Sequence, residues 1–88
     1  MIKISEIPNV VNVIPLENYK IKLTYDNGFS GVYDLSSLLN NKVFVSLKNV
    51  EEFNKVHKRH NAIVWNDEVD LCGDSIYLKL TGETLGDA

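Results

Sequence analysis

The sequence predicts an α+β domain: an antiparallel β-meander of three strands plus a fourth strand, with short helices packed on one face. Three observations predict this class. The segment YKIKLTY (residues 19–25) alternates apolar and polar side chains, the pair Asn27-Gly28 follows it, and leucines appear at helical spacing after Asp34. These patterns are typical of a half-buried strand, a hairpin turn and a short helix, respectively.

The composition indicates one globular domain spanning residues 1–88. Hydrophobic residues make up 44% and charged residues 24% of the chain, which is ordinary for a folded domain. Residues 1–9 and 82–88 are expected to be flexible ends. The single cysteine excludes an internal disulfide and fits a reducing compartment, so the expected location is the cytoplasm.

Two classes of protein are disfavoured by charge and hydropathy. The net charge of −3 argues against a general nucleic-acid binder, which needs positive charge to neutralise phosphates. No apolar run is long enough for a membrane helix or a signal peptide. We therefore expect neither direct nucleic-acid binding nor membrane insertion.

Residues 10–16, 19–25 and 29–34 are predicted to pair as consecutive antiparallel strands. Two registers are open at the Asn-Gly turn. A two-residue type I′ turn would place Tyr25 opposite Ser30, whereas a three-residue loop with a bulge at Gly28 would place it opposite Phe29. The turn residues favour the first register, because both Asn and Gly tolerate positive φ.

The second half of the chain is predicted to combine short helices with the fourth strand. Asp34 would cap a helix of one or two turns in DLSSLLNN, and residues 43–47 would form an extended segment or a turn on the core. Asn49 would cap a helix in VEEFNKV. The segment HKRHNAIVWN would carry the fourth strand, Asp74 would cap SIYLKL, and Gly82 would end that last helix.

A family resemblance covers about residues 10–78. It is carried by VVNVIPLENYKIKLTYDNGFSGVYDLSSLL, by VFVSLKNVEEFNKV and by IVWNDEVDLCGDSIY. This order of segments resembles the family of domain of unknown function 2442, whose fold is shared with the N-terminal domain of a larger Nitrosomonas protein. Trp65, Asp70, Leu71 and Tyr77 match the family's pattern, while WNDEVD and CGDS depart from the family's Trp-Pro-x-Gly-Ala-Asp and Cys-Pro-Asp.

The resemblance implies a non-enzymatic, protein-interacting module. Some family members lie beside a small partner gene and are regarded as one half of a toxin–antitoxin-like pair, and other relatives are labelled ligand-binding. For this chain the resemblance implies a bacterial, antitoxin-like protein whose partner is encoded by an adjacent gene, with a homodimer as a further possibility. Small size, open sheet edges and the absence of a catalytic constellation agree with this hypothesis.

Six residues form the predicted partner- or ligand-binding set. Three are aromatic residues with polar tips, which are enriched at binding sites, and three are acidic residues beside the only tryptophan. They are Trp65, Asp67, Glu68, Asp70, Tyr33 and Tyr77. The acidic side chains would suit a basic partner. The competing interpretation assigns the aromatic residues to the core and Asp70 to hydrogen bonds within a turn.

Two alternative functions are open. The first is a small-ligand-binding domain that uses the aromatic residues. The second is an enzyme or metal protein built on Asp70, Cys72, His57 and His60. It is disfavoured because the acidic neighbours of Cys72 do not promote a thiolate, and because the two histidines straddle a helix end and a strand start. We therefore predict no catalytic residue, no metal ligand and no cofactor.

Overall fold

The computed structural model describes residues 2–66 and 69–86 and confirms the α+β class. Over these residues the chain forms two three-stranded antiparallel sheets, two α-helices and four 3₁₀ turns. The first sheet contains β1 (Val10–Leu16), β2 (Lys20–Tyr25) and β3 (Ser30–Asp34); the second contains β4 (His57–Arg59), β5 (Ala62–Asn66) and β6 (Val69–Cys72). The helices are α1 (Val50–Phe53) and α2 (Gly73–Thr81), and the 3₁₀ turns are Ile4–Glu6, Glu17–Tyr19, Ser36–Leu38 and Val45–Lys48. Nowhere in this part of the chain is there a helix of the length and hydropathy needed to cross a membrane.

The first sheet has the predicted strand order, but the favoured hairpin register is wrong. The Tyr25 N–H donates to the Phe29 carbonyl oxygen at 2.8 Å, so the loop has three residues. A type I′ turn needs positive φ at both loop residues, and Asn27 is not among the residues with positive φ, whereas Gly28 has a φ of 89°. The Asn27 side chain instead accepts a hydrogen bond from the Phe29 N–H at 2.9 Å, which holds the three-residue loop.

The predicted fourth strand is β5, and it lies at the centre of a second sheet. Two flanking strands were not predicted. In β4 all three side chains are exposed and polar, so no apolar period marks the strand. The turn between β4 and β5 contains His60 at a φ of 55°, and β6 pairs with β5 with an irregularity between Val64 and Asn66.

The segment between the sheets contains less α-helix than predicted. The helix predicted after Asp34 is a single 3₁₀ turn, Ser36–Leu38, and not an α-helix; the Asp34 carboxylate accepts the Ser36 N–H at 2.8 Å. This bond also holds the pKa of Asp34 below its ordinary value, with a smaller effect from Lys20. The predicted cap of α1 is confirmed, because the Asn49 side chain accepts the Glu51 N–H at 3.0 Å.

The core lies between the two sheets and α2. The inward positions of YKIKLTY are buried as predicted, except that Tyr19 is half-buried. The largest fully buried side chains come from both halves of the chain: Tyr25, Phe53, Ile21, Leu23, Leu35, Leu47, Ile63 and Ile76. Because these side chains form one cluster, the two sheets share one core.

Asn61, at the turn between β4 and β5, joins the two sheets and α2. Its side-chain oxygen accepts the Val10 N–H at 2.6 Å, and its backbone oxygen accepts the Gly73 N–H at 2.9 Å. Its side-chain amide donates to the carboxylate of Asp74. The predicted role of Asp74 as a helix cap is therefore wrong: Cys72 occupies the cap position, and Asp74 lies in the first turn of α2.

The two ends of the described chain are paired with each other. Ile2 and Leu85 form a parallel bridge, with the Ile2 N–H donating to the Thr84 carbonyl at 2.9 Å and the Gly86 N–H donating to the Ile2 carbonyl at 2.8 Å. The flexibility of the ends stays a prediction.

Asn61→Ala should lower the free energy of unfolding by about 2–4 kcal/mol, because it leaves the Val10 N–H and the Asp74 carboxylate without their partners. Urea denaturation measures this loss. Asn41→Ala is the matched control, since the Asn41 side chain accepts only the nearby Val43 N–H on an exposed turn, and it should cost less than about 1 kcal/mol. Equal losses in the two variants would contradict the role assigned to Asn61.

The buried phenol of Tyr25 should make stability fall at alkaline pH. Its O–H donates to the Gly73 carbonyl at 2.8 Å, and burial, followed by the nearby Asp74, raises the pKa of Tyr25 above the ordinary 10.0. Because the pKa is raised in the folded state, this contribution to stability is complete below pH 10.0 and declines as the pH rises further. Urea unfolding at increasing pH should show a steeper decline for the wild type than for Tyr25→Phe. Parallel curves would contradict this.

Candidate functional site

Trp65 is a core residue that packs against Phe53. It is 2% exposed, and its indole N–H donates to the Phe53 carbonyl at 3.1 Å. The rings of Trp65 and Phe53 lie 6.2 Å apart. The side chain is therefore closed to a ligand in this conformation, and it fixes the end of α1.

Tyr77 belongs to α2 and Tyr33 lies in β3 beside it, and both residues are half-buried. Tyr77 packs edge-on against Tyr25, with ring centres 5.0 Å apart, and its hydroxyl accepts from the Asn27 side-chain amide at 3.4 Å. The Lys79 ammonium lies 5.8 Å from the centre of the Tyr33 ring. Both tyrosines therefore hold α2 against the first sheet.

Asp70, the acidic member of the predicted set that the structure describes, lies away from Tyr33 and Tyr77. Asp70 is exposed in β6, on the outer face of the second sheet. Asp67 and Glu68 lie outside the described residues. The residues of the set that the structure describes are thus distributed over the core, the α2 side and the second sheet, and they do not form one site.

The outer face of the second sheet carries the residues of the enzyme or metal alternative. A depression of about 290 Å³ is lined there by Arg59, His60, Ala62, Val64, Asn66 and Asp70. The register places Arg59 and Cys72 on either side of Ala62, and His57 and Asp70 on either side of Val64. Side chains separated by a whole strand are about 10 Å apart, too far for a nucleophile and its base. Within residues 2–66 and 69–86, no three His, Cys, Asp or Glu side chains are grouped as metal ligands.

A cleft lies between the turn that joins β1 to β2 and helix α1. Its volume is about 360 Å³, within the usual range for ligand pockets. The lining residues are Leu16, Glu17, Asn18, Tyr19, Val50, Phe53 and Asn54. We call this the α1 cleft. The cleft was not predicted from the sequence, because its lining residues come from two segments that lie far apart in the chain.

The walls of the α1 cleft are held in a strained conformation. Asn18 and Tyr19 both have a φ of 60°, in the left-handed region that side chains with a Cβ rarely adopt. The Tyr19 hydroxyl donates to the Lys48 carbonyl at 2.5 Å, and its ring meets that of Phe53 edge-on at 5.5 Å. Strain of this kind persists only where the surrounding contacts enforce it, and it is concentrated at functional sites.

The outer face of the first sheet is the second candidate surface. The register puts Ile14, Lys22 and Val32 in one row across the three strands, and Leu16 lies two residues from Ile14 on β1. The three apolar residues of this face are exposed: Ile14 by 42%, Val32 by 47% and Leu16 by 38%. The Lys22 ammonium makes no hydrogen bond or ion pair with any residue that the structure describes. Leu16 also lines the α1 cleft, so the two surfaces are adjacent.

The sequence matches the model of a protein family of unknown function, DUF2442, over residues 10–82. The chain belongs to the DUF2442 family. This confirms the family resemblance seen in the sequence. No curated protein shows significant sequence similarity to the chain.

The fold is also similar to a crystal structure from Nitrosomonas europaea, of a protein named "Putative DNA Binding Protein NE0471". The TM-score is 0.71 at 22% identity, and the match covers 81% of this chain. At this identity the likeness shows the fold alone. The chain spans about half the length of that protein, 47%.

Asn18→Ala should lower the free energy of unfolding by about 1 kcal/mol, because alanine tolerates the left-handed region less well than asparagine. Asn18→Gly should change it by less than about 0.5 kcal/mol, because glycine adopts positive φ freely. Asn54→Ala is the control. It removes another amide from the cleft, but Asn54 has a φ of −72°, which alanine adopts without strain. Thermal unfolding followed by circular dichroism compares the three variants. A larger loss for Asn18→Gly than for Asn18→Ala would show that Asn18 is not strained.

Proposed function

We propose that this DUF2442 domain is a non-enzymatic protein-interaction module that binds a partner through the outer face of its first sheet. The observation that carries the proposal is the group of exposed apolar side chains at Ile14, Leu16 and Val32 around the unpaired Lys22. A sheet with one face in the core normally presents polar side chains to water on the other face. On β1 and β3 this face departs from that rule.

The proximity of the three apolar side chains supports a surface for one partner. Neighbouring strands lie about 5 Å apart, and alternate residues on a strand lie about 7 Å apart. The three side chains therefore fall within about 12 Å of one another. Single exposed apolar residues need no explanation, whereas a group rimmed by polar residues is typical of an interface.

The charge of the face indicates the chemistry of the partner. Lys20 is near Asp34, and this attraction contributes to the lowered pKa of that carboxyl. Lys22 has no such neighbour and stands between Ile14 and Val32. A partner with an acidic group among apolar residues would pair with Lys22, which increases the association rate and selects against basic partners.

An antitoxin-like role is the specific form of this proposal. The partner would then be the product of an adjacent gene, and the outer face would be covered in the complex. The family resemblance supports this role.

DNA binding is the second candidate, suggested by the name of the N. europaea protein. One observation favours it. Strand β4 exposes the basic residues Lys58 and Arg59, and basic side chains can contact phosphates. The net charge of −3 opposes it, as does the neighbour Lys55, which is already paired with Glu52 at 2.7 Å.

The Ile14→Thr/Val32→Thr double variant should weaken binding of the adjacent gene's product. Threonine keeps the β-branched shape that suits a strand and removes apolar surface. The expected loss is about 2 kcal/mol, or about thirtyfold in Kd, by isothermal titration calorimetry. Val43→Thr/Val45→Thr is the matched control, since those valines are similarly exposed, at 52% and 48%, outside the sheet.

Equal weakening by both double variants, or no complex with the wild type, would contradict the proposal. The same preparations distinguish the DNA candidate. If the wild type binds duplex DNA in physiological salt, and Lys58→Ala/Arg59→Ala abolishes this binding, DNA replaces a protein as the partner.

A further inference from the structure

We propose that the α1 cleft is a binding site for a basic side chain, an arginine or lysine presented by a partner protein. This inference rests on the proposed function in one respect: the basic side chain that the cleft binds belongs to a partner protein. The cleft shares Leu16 with the outer face of the first sheet and otherwise consists of different residues.

The acidic group at the cleft is free to pair with a cation. Glu17 is exposed, and its carboxylate forms no hydrogen bond or ion pair with any residue in the described part of the chain. Glu52 of α1, by contrast, already binds the Lys55 ammonium at 2.7 Å. The other polar lining residues, Asn18 and Asn54, are neutral. The cleft therefore presents one unpaired negative charge, which attracts a cation and repels an anion.

The walls of the cleft suit the stem of a long basic side chain. Leu16 is 38% exposed and Val50 is 57% exposed, and both line the cleft. Lysine and arginine pack their methylene groups on apolar surface while the charged end stays at the edge. The half-buried Tyr19 ring adds aromatic surface, on which a guanidinium stacks better than an ammonium. Arginine should therefore bind better than lysine.

The cleft is formed before any ligand arrives. The Tyr19 hydroxyl is held by the Lys48 carbonyl, and the Phe53 carbonyl is held by the Trp65 indole. These bonds fix the Tyr19 ring and the end of α1, so neither has to become ordered when a ligand binds. A small pre-organised site loses less entropy on binding than a flexible one.

The test is an NMR titration of the ¹⁵N-labelled protein with N-acetyl-arginine amide. Saturable shifts should appear in the amide signals of residues 16–19 and 50–54. N-acetyl-citrulline amide has nearly the same shape without the charge and should bind more weakly. Glu17→Gln should weaken arginine binding about two- to fivefold, the value of an exposed ion pair, and added salt should reduce the difference.

Asp70→Asn is the matched control, because it removes one exposed negative charge from the other sheet and should leave arginine binding unchanged. The proposal is overturned if the shifts do not appear in residues 16–19 and 50–54. It is also overturned if citrulline amide binds as well as arginine amide, or if Glu17→Gln binds like the wild type. The titration uses no partner protein, so its outcome is separate from that of the Ile14 and Val32 variants.

Discussion

The fold depends on Asn61, in the turn between β4 and β5. Its side chain and backbone connect the second sheet to β1 of the first sheet and to α2, although no ladder of backbone hydrogen bonds joins these elements. Its side-chain oxygen holds the start of β1, its amide nitrogen holds Asp74 in α2, and its backbone oxygen holds the first N–H of that helix. Gly73 must be glycine for this approach, because a Cβ there would lie 2.5 Å from the Asn61 carbonyl oxygen and 2.7 Å from a Val10 methyl group. The two sheets therefore meet at a point that excludes any larger residue.

From this junction the core extends to the α1 cleft through aromatic side chains. Trp65 holds Phe53, and Phe53 meets Tyr19 edge-on, so a buried residue of β5 determines where the cleft wall stands. Trp65 thus has a structural role that also shapes a surface. The contacts that enforce the left-handed φ of Tyr19 are the same contacts that shape the cleft.

Elements that are marked by a pattern of neighbouring residues could be predicted from the sequence. Alternation in YKIKLTY and the Asn49 cap are such signals, and both predictions are confirmed. Strand β4 has no apolar period and exists because β5 lies beside it, so its pairing could not be read from residues 57–59. The hairpin register was wrong because Asn27 uses its side chain, rather than a positive φ, to make the turn. The cleft was missed because its walls are brought together from segments about thirty residues apart in sequence.

The two surfaces that meet at Leu16 carry opposite charges, and this constrains any partner more than the net charge does. Lys22 on the sheet face and Glu17 at the cleft are both unpaired within the described part of the chain. In the complex we propose, a partner covering both surfaces would carry an acidic group and a basic group with apolar residues between them. Each ion pair alone contributes little binding free energy at an exposed site. A partner with its acidic and basic groups exchanged, however, would place like charges against both Lys22 and Glu17. Selectivity would therefore come from the order of charges, and affinity from the apolar side chains of Ile14, Leu16 and Val32.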